Sequence, residues 1–322
     1  MPTLARRDQR SHVEAVGFVG DEPAFAMADG RVDLNGLRDV HEGGLLAAVL
    51  ALDGSALVTG GEDGRVCAVA ADGVREIASR SGKWIDVLAA GPAGSVGFAS
   101  GRTAWLVDAK GAQSEFTCER AIEGLAFAPK GQRLLCARYG GVSLFFAGNP
   151  KGAELLWDGA HTGVTVSPDG KYVVTTMQEP ALHGWRLGGK GDPHMRMTGY
   201  PSKVRSLAWS PGGRWLATSG ASSAVCWPFA GKGPQGQAPK QLGDRADRLV
   251  VRVACHPKAD VVAIGYDDGM IMLVRMEDAG EVLLKRPGEG DGPEISALSF
   301  DRAGDRLAFG TAGGEAGVIS LT

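Results

Sequence analysis

Residues 161–174 read HTGVTVSPDGKYVV, which is an apolar run, a short polar turn and a second apolar run. The β-branched and aromatic residues of both runs favour strands, and Pro168, Asp169 and Gly170 favour a tight turn. The stretch therefore predicts two antiparallel strands joined at residues 167–170. Whether this hairpin stands alone or repeats along the chain decides the fold.

The same pattern returns along the whole chain. Apolar runs recur between turns rich in Gly, Pro and Asp, and 49 of the 322 residues are Gly. Most copies contain a third run and a weaker fourth run, such as EVLLK at 281–285. Four short strands in about 40 residues are typical of one blade of a β-propeller. The predicted units are residues 13–40, 41–80, 81–118, 119–157, 158–198, 199–242, 243–286, and 287–322 together with 3–10.

Several copies resemble the repeat of the WD-repeat family, whose phrase is H-x-G-x-V-x-x-V-x-F-S-P-D-G. His41 keeps the family spacing to the turn at residues 53–54, and residues 164–170 and 207–213 match the end of the phrase. No third run ends in the family's Trp-Asp dipeptide. The resemblance covers essentially the whole chain and implies an all-β propeller of four-stranded antiparallel blades.

The number of blades follows from the count of units. Eight units fit, so we predict eight blades, with seven as the alternative if residues 13–40 only decorate the ring. The last unit ends after its third run, which would leave an open sheet edge. We therefore expect the N-terminal strand at 3–10 to pair with the C-terminal blade and close the ring. Residues 1–322 then form a single propeller.

Charge and cysteine content argue against several classes of function. The chain has 34 basic and 37 acidic residues, a net charge of −3, which does not suit a nucleic-acid or anionic-membrane binder. The N-terminal sequence lacks the apolar segment of a secretory signal, and no run is long enough for a membrane helix. The five cysteines form no CxxC pair, so buried free thiols are expected. We expect a cytoplasmic protein.

The WD-repeat resemblance also assigns the loops. It implies that the connections between second and third strands, and those between blades, share an upper face. Functional groups lie preferentially on loops, and Tyr, Trp and Arg contribute most of the energy at protein interfaces. The predicted protein-binding residues of this face are Trp84, Arg102, Arg120, Arg138, Tyr139, Lys203, Arg205, Tyr266 and Asp267.

Three more residues are predicted to be structural. In the WD-repeat family an Asp between the second and third strands bonds to a His and holds the blade together. The resemblance implies such a pair between His41 and Asp63. Asp268 occupies a similar turn, although its blade has no His at the expected spacing. His161 lies too close to its turn for this role, and we expect it only to begin its strand.

Enzyme motifs are absent from the sequence. There is no HxH, HExxH or GxSxG motif and no phosphate-binding glycine loop. We therefore predict a noncatalytic scaffold that presents a propeller face to a protein or peptide partner, without cofactor or metal. It would act as a monomer or as a subunit of a larger complex. The alternative is a small-molecule or metal-dependent propeller enzyme with its site at the central channel, because fold alone does not assign function.

Overall fold

The computed structural model describes residues 3–147, 149–188, 193–288 and 292–322. In these residues nearly all regular structure is β-strand, with 3₁₀ turns at Pro92–Gly94 and Pro211–Gly213. No helix in this part of the chain is long and apolar enough to cross a membrane. The chain divides into two compact units: unit 1 is Met1–Met27 with Gly199–Thr322, and unit 2 is Ala28–Thr198.

Unit 1 contains three strands from the N-terminal part of the chain and eleven from the C-terminal part. They are β1 (Thr3–Asp8), β2 (Val13–Val19), β3 (Glu22–Met27), β20 (Leu207–Trp209), β21 (Trp215–Thr218), β22 (Ala224–Pro228), β23 (Lys240–Leu242), β24 (Val250–Cys255), β25 (Val261–Tyr266), β26 (Ile271–Arg275), β27 (Glu281–Lys285), β28 (Ile295–Phe300), β29 (Arg306–Thr311) and β30 (Glu315–Ser320). The sheets follow the orders β20-β21-β22-β23, β24-β25-β26-β27 and β1-β30-β29-β28.

Unit 2 contains the remaining strands of the described residues. They are β4 (Arg31–Leu34), β5 (Leu37–Asp39), β6 (Leu45–Leu50), β7 (Leu57–Gly61), β8 (Arg65–Ala70), β9 (Gly73–Ser79), β10 (Val87–Ala90), β11 (Val96–Ser100), β12 (Thr103–Val107), β13 (Gln113–Thr117), β14 (Ile122–Phe127), β15 (Arg133–Phe146), β16 (Asn149–Val166), β17 (Tyr172–Met177), β18 (Leu182–Arg186) and β19 (His194–Met197). β6 to β9 form one sheet, β10 to β13 a second and β14 to β19 a third. The boundary between the units falls between β3 and β4, within the sheet β2-β3-β4-β5.

The number of sheets differs from the sequence prediction. The described strands form seven sheets, six of four strands and one of six, so the prediction of eight blades is wrong. The six-stranded sheet covers the units predicted at 119–157 and 158–198. They are joined because β16 continues from the fourth run of one unit into the first run of the next: its residues 149–160 pair with β15, and its residues 161–166 pair with β17.

Two other predictions about the fold are confirmed. β1 pairs with β30 from Thr3↔Ser320 to Asp8↔Glu315, so the N-terminal strand completes the C-terminal sheet. The quoted stretch forms the end of β16, a turn and the start of β17. In that turn Ser167 Oγ donates to Asp169 Oδ1 at 2.7 Å and accepts the backbone N–H of Tyr172 at 3.0 Å, which is the turn chemistry that the residues SPDG favour.

The core lies between neighbouring sheets. In unit 1, Leu242 of one sheet and Ile264 of the next belong to the same buried cluster. In unit 2, Val66 of β8 and Phe98 of β11, which lie on neighbouring sheets, also belong to one buried cluster. A sheet that has another sheet packed against each of its faces is buried on both surfaces, which explains why its inner runs are almost continuously apolar. Exposed polar side chains lie on the connections at the strand ends and along outer strands such as β9 and β13.

Candidate protein-interaction surface

The predicted residues of unit 2 lie at one edge of its sheets. β10 begins and β11 ends at this edge, and β12 begins and β13 ends there, because neighbouring strands are antiparallel. Trp84 precedes β10, Arg102 lies between β11 and β12, and Arg120 follows β13. Arg138 of β15 pairs with the first residue of β14 at the same end, and Tyr139 follows it. We call the edge formed by these residues the Trp84 edge.

Large apolar side chains are exposed at the Trp84 edge. Trp84 is 62% exposed and Tyr139 is 58% exposed. Trp84 is held in place by its neighbour Ile85, which is fully buried and donates its backbone N–H to the Gly61 carbonyl at 3.1 Å. Leu156 is 63% exposed and lies on β16, where it pairs with Gly141, two residues after Tyr139 on β15. Sequence reasoning missed Leu156 because it falls in a strand and not in a loop.

Charges of both signs accompany the exposed aromatic residues. Lys83, Arg102 and Arg120 are exposed, and within the described residues none of them makes an ion pair. Asp86 and Glu119 are exposed between them along the chain. Aromatic and arginine side chains are enriched at protein interfaces, whereas nucleic-acid-binding surfaces carry a strong excess of basic residues. The Trp84 edge contains the aromatic and arginine side chains that protein interfaces favour and carries no strong excess of basic residues.

Arg138 does not contribute to this surface, contrary to the prediction. It is only 6% exposed. Its Nε donates to Ser143 Oγ at 2.8 Å, its Nη1 donates to the Tyr139 carbonyl at 2.8 Å, and its Nη2 bonds to the Glu154 carboxylate. The guanidinium is thus engaged by groups of β15 and β16. Arg138 stabilises the sheet, and we remove it from the candidate binding residues.

Three predicted residues of unit 1 remain accessible. Lys203 and Arg205 are exposed on the segment before β20, and Asp267 is half-buried in the turn between β25 and β26. The backbone N–H of Arg205 donates to Ser219 Oγ at 3.1 Å, which ties this segment to the end of β21. These three residues remain candidate contact residues of unit 1.

Tyr266 is buried, and its prediction as a contact residue has to be corrected. It is fully inaccessible, and its hydroxyl donates to the Gly243 carbonyl. The Arg245 guanidinium lies 5.0 Å from the centre of its ring. Burial raises the pKa of the Tyr266 hydroxyl well above its usual range. The side chain belongs to the core because it is the last residue of β25 and points between sheets.

His41 and Asp63, which were predicted to pair, are in contact. His41 Nδ1 lies 3.0 Å from Asp63 Oδ1, and His41 Nε2 lies 2.8 Å from Thr59 Oγ1. Burial lowers the pKa of His41, although Asp63 opposes this effect. Burial alone would raise the pKa of Asp63, but hydrogen bonds from Arg65 N–H, His41 and Glu42 N–H hold it below its usual range. The lowered pKa of each group is consistent with a neutral His41 imidazole next to an ionised Asp63 carboxylate.

Asp268 has an arginine partner in place of a histidine. Its side chain is almost completely buried, and its Oδ2 accepts from Arg245 Nη1 at 2.7 Å. Its Oδ1 accepts the backbone N–H of Met270 at 3.1 Å. A buried carboxylate needs a partner of opposite charge, and Arg245 supplies it from the connection before β24. The absence of a histidine in this part of the sequence is thereby explained.

Two further hydrogen-bond chains were not predicted. Trp227 Nε1 donates to the Tyr200 hydroxyl at 2.6 Å, and the hydroxyls of Tyr200 and Thr218 are 2.7 Å apart. His161 is fully buried, and its Nδ1 lies 2.7 Å from Thr175 Oγ1, so it does more than begin a strand. Tyr200 and Thr218 are 18 residues apart, the same separation as His41 and Thr59. This repeated spacing is the sequence signal that could have identified Tyr200 as the counterpart of His41.

Histidine and tryptophan rings gather between β16, β18 and β19. His183 Nε2 lies 3.1 Å from His194 Nδ1, and Trp157 stacks on His183 with ring centres 4.0 Å apart. Within the described ranges, no group of three or more His, Cys, Asp or Glu side chains is placed to hold a metal ion. These histidine and tryptophan rings therefore pack the three strands against one another.

Comparison with known proteins identifies the repeat and the fold. Residues 191–227 match the family model described as "WD domain, G-beta repeat". The crystal structure of the computationally designed Ika8 protein is similar, with a TM-score of 0.76, 20% identity and 98% coverage of each chain. The crystal structure of the RRP9 WD40 repeats has a TM-score of 0.64 and 17% identity, covering 86% of this chain and 94% of that one. No curated protein matches the sequence.

These similarities confirm the predicted resemblance to WD-repeat β-propellers. One repeat is recognised in the sequence, and the solved structures share the fold over most of the chain. At identities of 17–20% the likeness extends to the fold alone. The function has to be argued from the surface of this chain.

Proposed function

We propose that this protein is a noncatalytic interaction module that binds a protein partner through the Trp84 edge. The exposure of Trp84 and Tyr139 carries the proposal, since two large aromatic side chains stand more than half exposed on one edge of unit 2. Such side chains bury a large area on binding and lose little conformational freedom. Propellers of the WD-repeat type commonly mediate protein–protein interaction, which agrees with this assignment.

The chemistry of the edge defines the partner. An apolar patch on the partner covers Trp84, Tyr139 and Leu156, while acidic groups of the partner face Arg102 and Arg120. Charged groups at the rim of an interface set the orientation and the association rate more than the affinity. The aromatic residues should therefore determine how tightly the partner is held. We propose that the free protein is a monomer or one subunit of a larger complex.

A comparison of variants tests the proposal. The double variant Trp84→Ala/Tyr139→Ala is used with the wild type as bait in extracts of the source cells, and captured proteins are quantified by mass spectrometry. Leu52→Ala is the matched control, because Leu52 is 65% exposed in the same unit but lies in the turn between β6 and β7. The partner is then purified and its Kd for each variant is measured.

The expected result is a partner that the wild type and Leu52→Ala retain and the double variant loses. Truncation of a central aromatic residue costs about 2 kcal/mol or more of binding free energy, which weakens Kd by about 30-fold. Circular dichroism checks that the double variant is folded. A partner held equally well by all three proteins would show that the Trp84 edge is not the interface. A native mass measurement of the free protein and of the captured complex distinguishes a monomer from a subunit of a larger complex.

A further inference from the structure

Two of the five cysteines lie together in unit 2, between two of its sheets. Cys118 directly follows β13, and Cys136 belongs to β15 of the six-stranded sheet. Both are members of one buried cluster, in which they are 4% and 0% exposed. The thiol of Cys136 donates a hydrogen bond to Cys118 Sγ. We call these two residues the thiol pair.

Polar groups around the thiol pair favour the ionised form of Cys118. The hydrogen bond from Cys136 lowers the pKa of the Cys118 thiol, Ser143 and the charge of Arg138 act in the same direction, and burial opposes them. Arg138 is fixed in place by its bonds to Ser143 and Glu154. The pKa of Cys136 lies well above its usual range, because this thiol gives its proton to the hydrogen bond and is buried. The pair thus combines a thiol that ionises with one that keeps its proton.

The other three cysteines are in different surroundings. Burial raises the pKa of Cys67 to about 11 and that of Cys226 to about 12, and it raises the pKa of Cys255 above its usual range. Cys255 gives its hydrogen bond to the Ala208 carbonyl at 3.4 Å. The thiolate, and not the thiol, is the form that reacts with oxidants. Cys118 is therefore the cysteine whose environment favours oxidation.

Cys118 lies close to the surface although its own side chain is buried. Its neighbours Thr117 and Glu119 are exposed, and it follows a strand that is hydrogen-bonded on one side only, to β12. Its backbone N–H donates to the Arg102 carbonyl at 2.9 Å and closes the end of this strand. Strand ends open locally at a low cost in free energy. A molecule as small as hydrogen peroxide reaches Cys118 Sγ through such an opening.

We propose that the thiol pair is a modification site for hydroperoxides, at which Cys118 and Cys136 form a reversible disulfide. The Cys118 thiolate attacks one oxygen of hydrogen peroxide, the O–O bond breaks, hydroxide leaves, and Cys118 becomes a sulfenic acid. The Cys136 thiol then attacks the Cys118 sulfur, and its proton leaves with the hydroxyl group as water while the S–S bond forms. The proton that Cys118 released neutralises the hydroxide. In total two thiols are oxidised, and one hydrogen peroxide is reduced to two waters.

The disulfide would connect two sheets by a covalent bond. It joins the end of β13 to β15, and these segments lead to Arg120 and Tyr139 of the Trp84 edge. A thiol reductant reverses the bond by thiol–disulfide exchange. Disulfide formation does not depend on whether the Trp84 edge binds a partner.

Peptide mapping of the wild-type protein tests this assignment. The reduced protein is treated with hydrogen peroxide, catalase removes the peroxide, and the remaining thiols are alkylated in denaturant before digestion with trypsin. Each cysteine falls in a separate tryptic peptide, and those of the thiol pair are residues 111–120 and 134–138. We expect these two peptides joined, with the loss of two hydrogen atoms, in protein that remains monomeric on a non-reducing gel. Dithiothreitol should separate them, and the other three cysteines should remain alkylated.

Single variants test the order of attack. In Cys136→Ala, we expect dimedone to label Cys118 as a sulfenic acid, because the second thiol is missing. In Cys118→Ala, no dimedone label is expected on Cys136. Cys67→Ala is the matched control, since Cys67 is the remaining cysteine of unit 2, and it should lose two thiols on oxidation as the wild type does. Circular dichroism checks that each variant is folded.

Three results would count against the thiol pair. Absence of the joined peptides from the oxidised wild type would overturn the proposal, and this experiment requires no substitution. Loss of all five thiols at the same rate would also overturn it, because opening of the whole protein would then control the reaction. Dimedone label on Cys136 in Cys118→Ala, with none on Cys118 in Cys136→Ala, would refute the assignment of Cys118 as the attacking thiolate.

Discussion

Replacing Thr218 with Val tests the hydrogen-bond chain inside unit 1. Trp227 Nε1 donates to the Tyr200 hydroxyl at 2.6 Å, and the hydroxyls of Tyr200 and Thr218 are 2.7 Å apart. Thr218 donates its single hydroxyl proton to the Val225 carbonyl at 2.9 Å. Tyr200 must therefore be the donor to Thr218, because a threonine hydroxyl has one proton only.

The structure gives the size of the expected effect. Valine keeps the shape of the side chain, but the Tyr200 hydroxyl loses its acceptor and the Val225 carbonyl loses a donor. Thr218 is fully buried and Tyr200 is 8% exposed, so water cannot readily replace either partner. Each buried polar group left unpaired costs about 1–3 kcal/mol, and the added methyl group offsets about 0.8 kcal/mol. We expect the free energy of unfolding to fall by about 1–5 kcal/mol.

Thr311→Val is the control for this substitution. Thr311 is also fully buried, and its hydroxyl has no hydrogen-bond partner in the part of the chain that the structure describes. The same change at this position should leave the free energy of unfolding unchanged or raise it slightly, because no partner is lost. Urea denaturation followed by tryptophan fluorescence measures both variants. If Thr218→Val costs no more than Thr311→Val, the hydrogen-bond chain does not stabilise the protein.

A double-mutant cycle separates the chain from ordinary packing. Tyr200→Phe alone leaves Trp227 Nε1 without an acceptor. In the double variant with Thr218→Val, the unpaired hydroxyl of Tyr200 is gone, so the loss should be smaller than the sum of the single losses by about 1–3 kcal/mol. Additive losses would refute the assignment of Tyr200 as the donor to Thr218.

Two further predictions concern alkaline pH and the six-stranded sheet. Burial raises the pKa of Tyr200 to about 12, whereas an exposed tyrosine has a pKa of about 10. The stability that depends on protonated Tyr200 is fully present below pH 10. It falls by about 3 kcal/mol as the pH rises to 12. Urea denaturation at a series of pH values should show this fall in the wild type and a smaller one in Tyr200→Phe. Gly141→Ala should destabilise the protein by about 3 kcal/mol or more, since Gly141 has φ +134° and a Cβ there would lie 2.0 Å from the Leu155 carbonyl oxygen. Gly131→Ala should cost only about 1–2 kcal/mol, because Gly131 has φ +75° with no atom near the new Cβ; equal losses in urea denaturation would contradict this explanation.

The sequence was sufficient for the strands but not for the number of sheets. Apolar runs, and the turn residues that separate them such as those at 167–170, determine where each strand lies. Both are local signals. Whether two units stay separate depends on the segment between them. Residues 157–160 look like a connection, yet they remain in β16, and Tyr139 pairs with Ala160 across the expected gap. Such pairing is a long-range interaction that no local pattern announces.

The side chains of the candidate surface were predictable only in part. Trp84 and Tyr139 are exposed as expected, whereas Tyr266 and Arg138 are buried. Trp84 lies in a connection, Tyr266 ends β25, and Arg138 and Tyr139 lie where the pairing of β15 passes from β14 to β16, so the sequence alone could not separate them. A side chain at a strand end points either outward or between the sheets, and the outcome depends on distant partners, such as Arg245 for Tyr266.

The same difficulty applies to the residues that hold the sheets together. The search for an Asp–His pair succeeded where the histidine and aspartate of the family are both present. In other sheets Tyr200 or His161 takes the place of the histidine and bonds to a threonine. In another, the carboxylate of Asp268 is bound by Arg245 and not by a histidine. Different side chains meet the same hydrogen-bonding need, so a search for one residue type misses the others.

The pairing of β1 with β30 has a consequence for synthesis of the protein. On the ribosome, β1 is made about 300 residues before its partner β30, so residues 3–8 wait through the synthesis of all the strands between them before they are hydrogen-bonded. During that time their backbone N–H and C=O groups form an open edge that another strand could pair with. Arg6, Arg7 and Asp8 place charges along this segment, and charged residues on an edge strand oppose such pairing. These charges therefore make pairing of the segment with a foreign strand less favourable until β30 emerges.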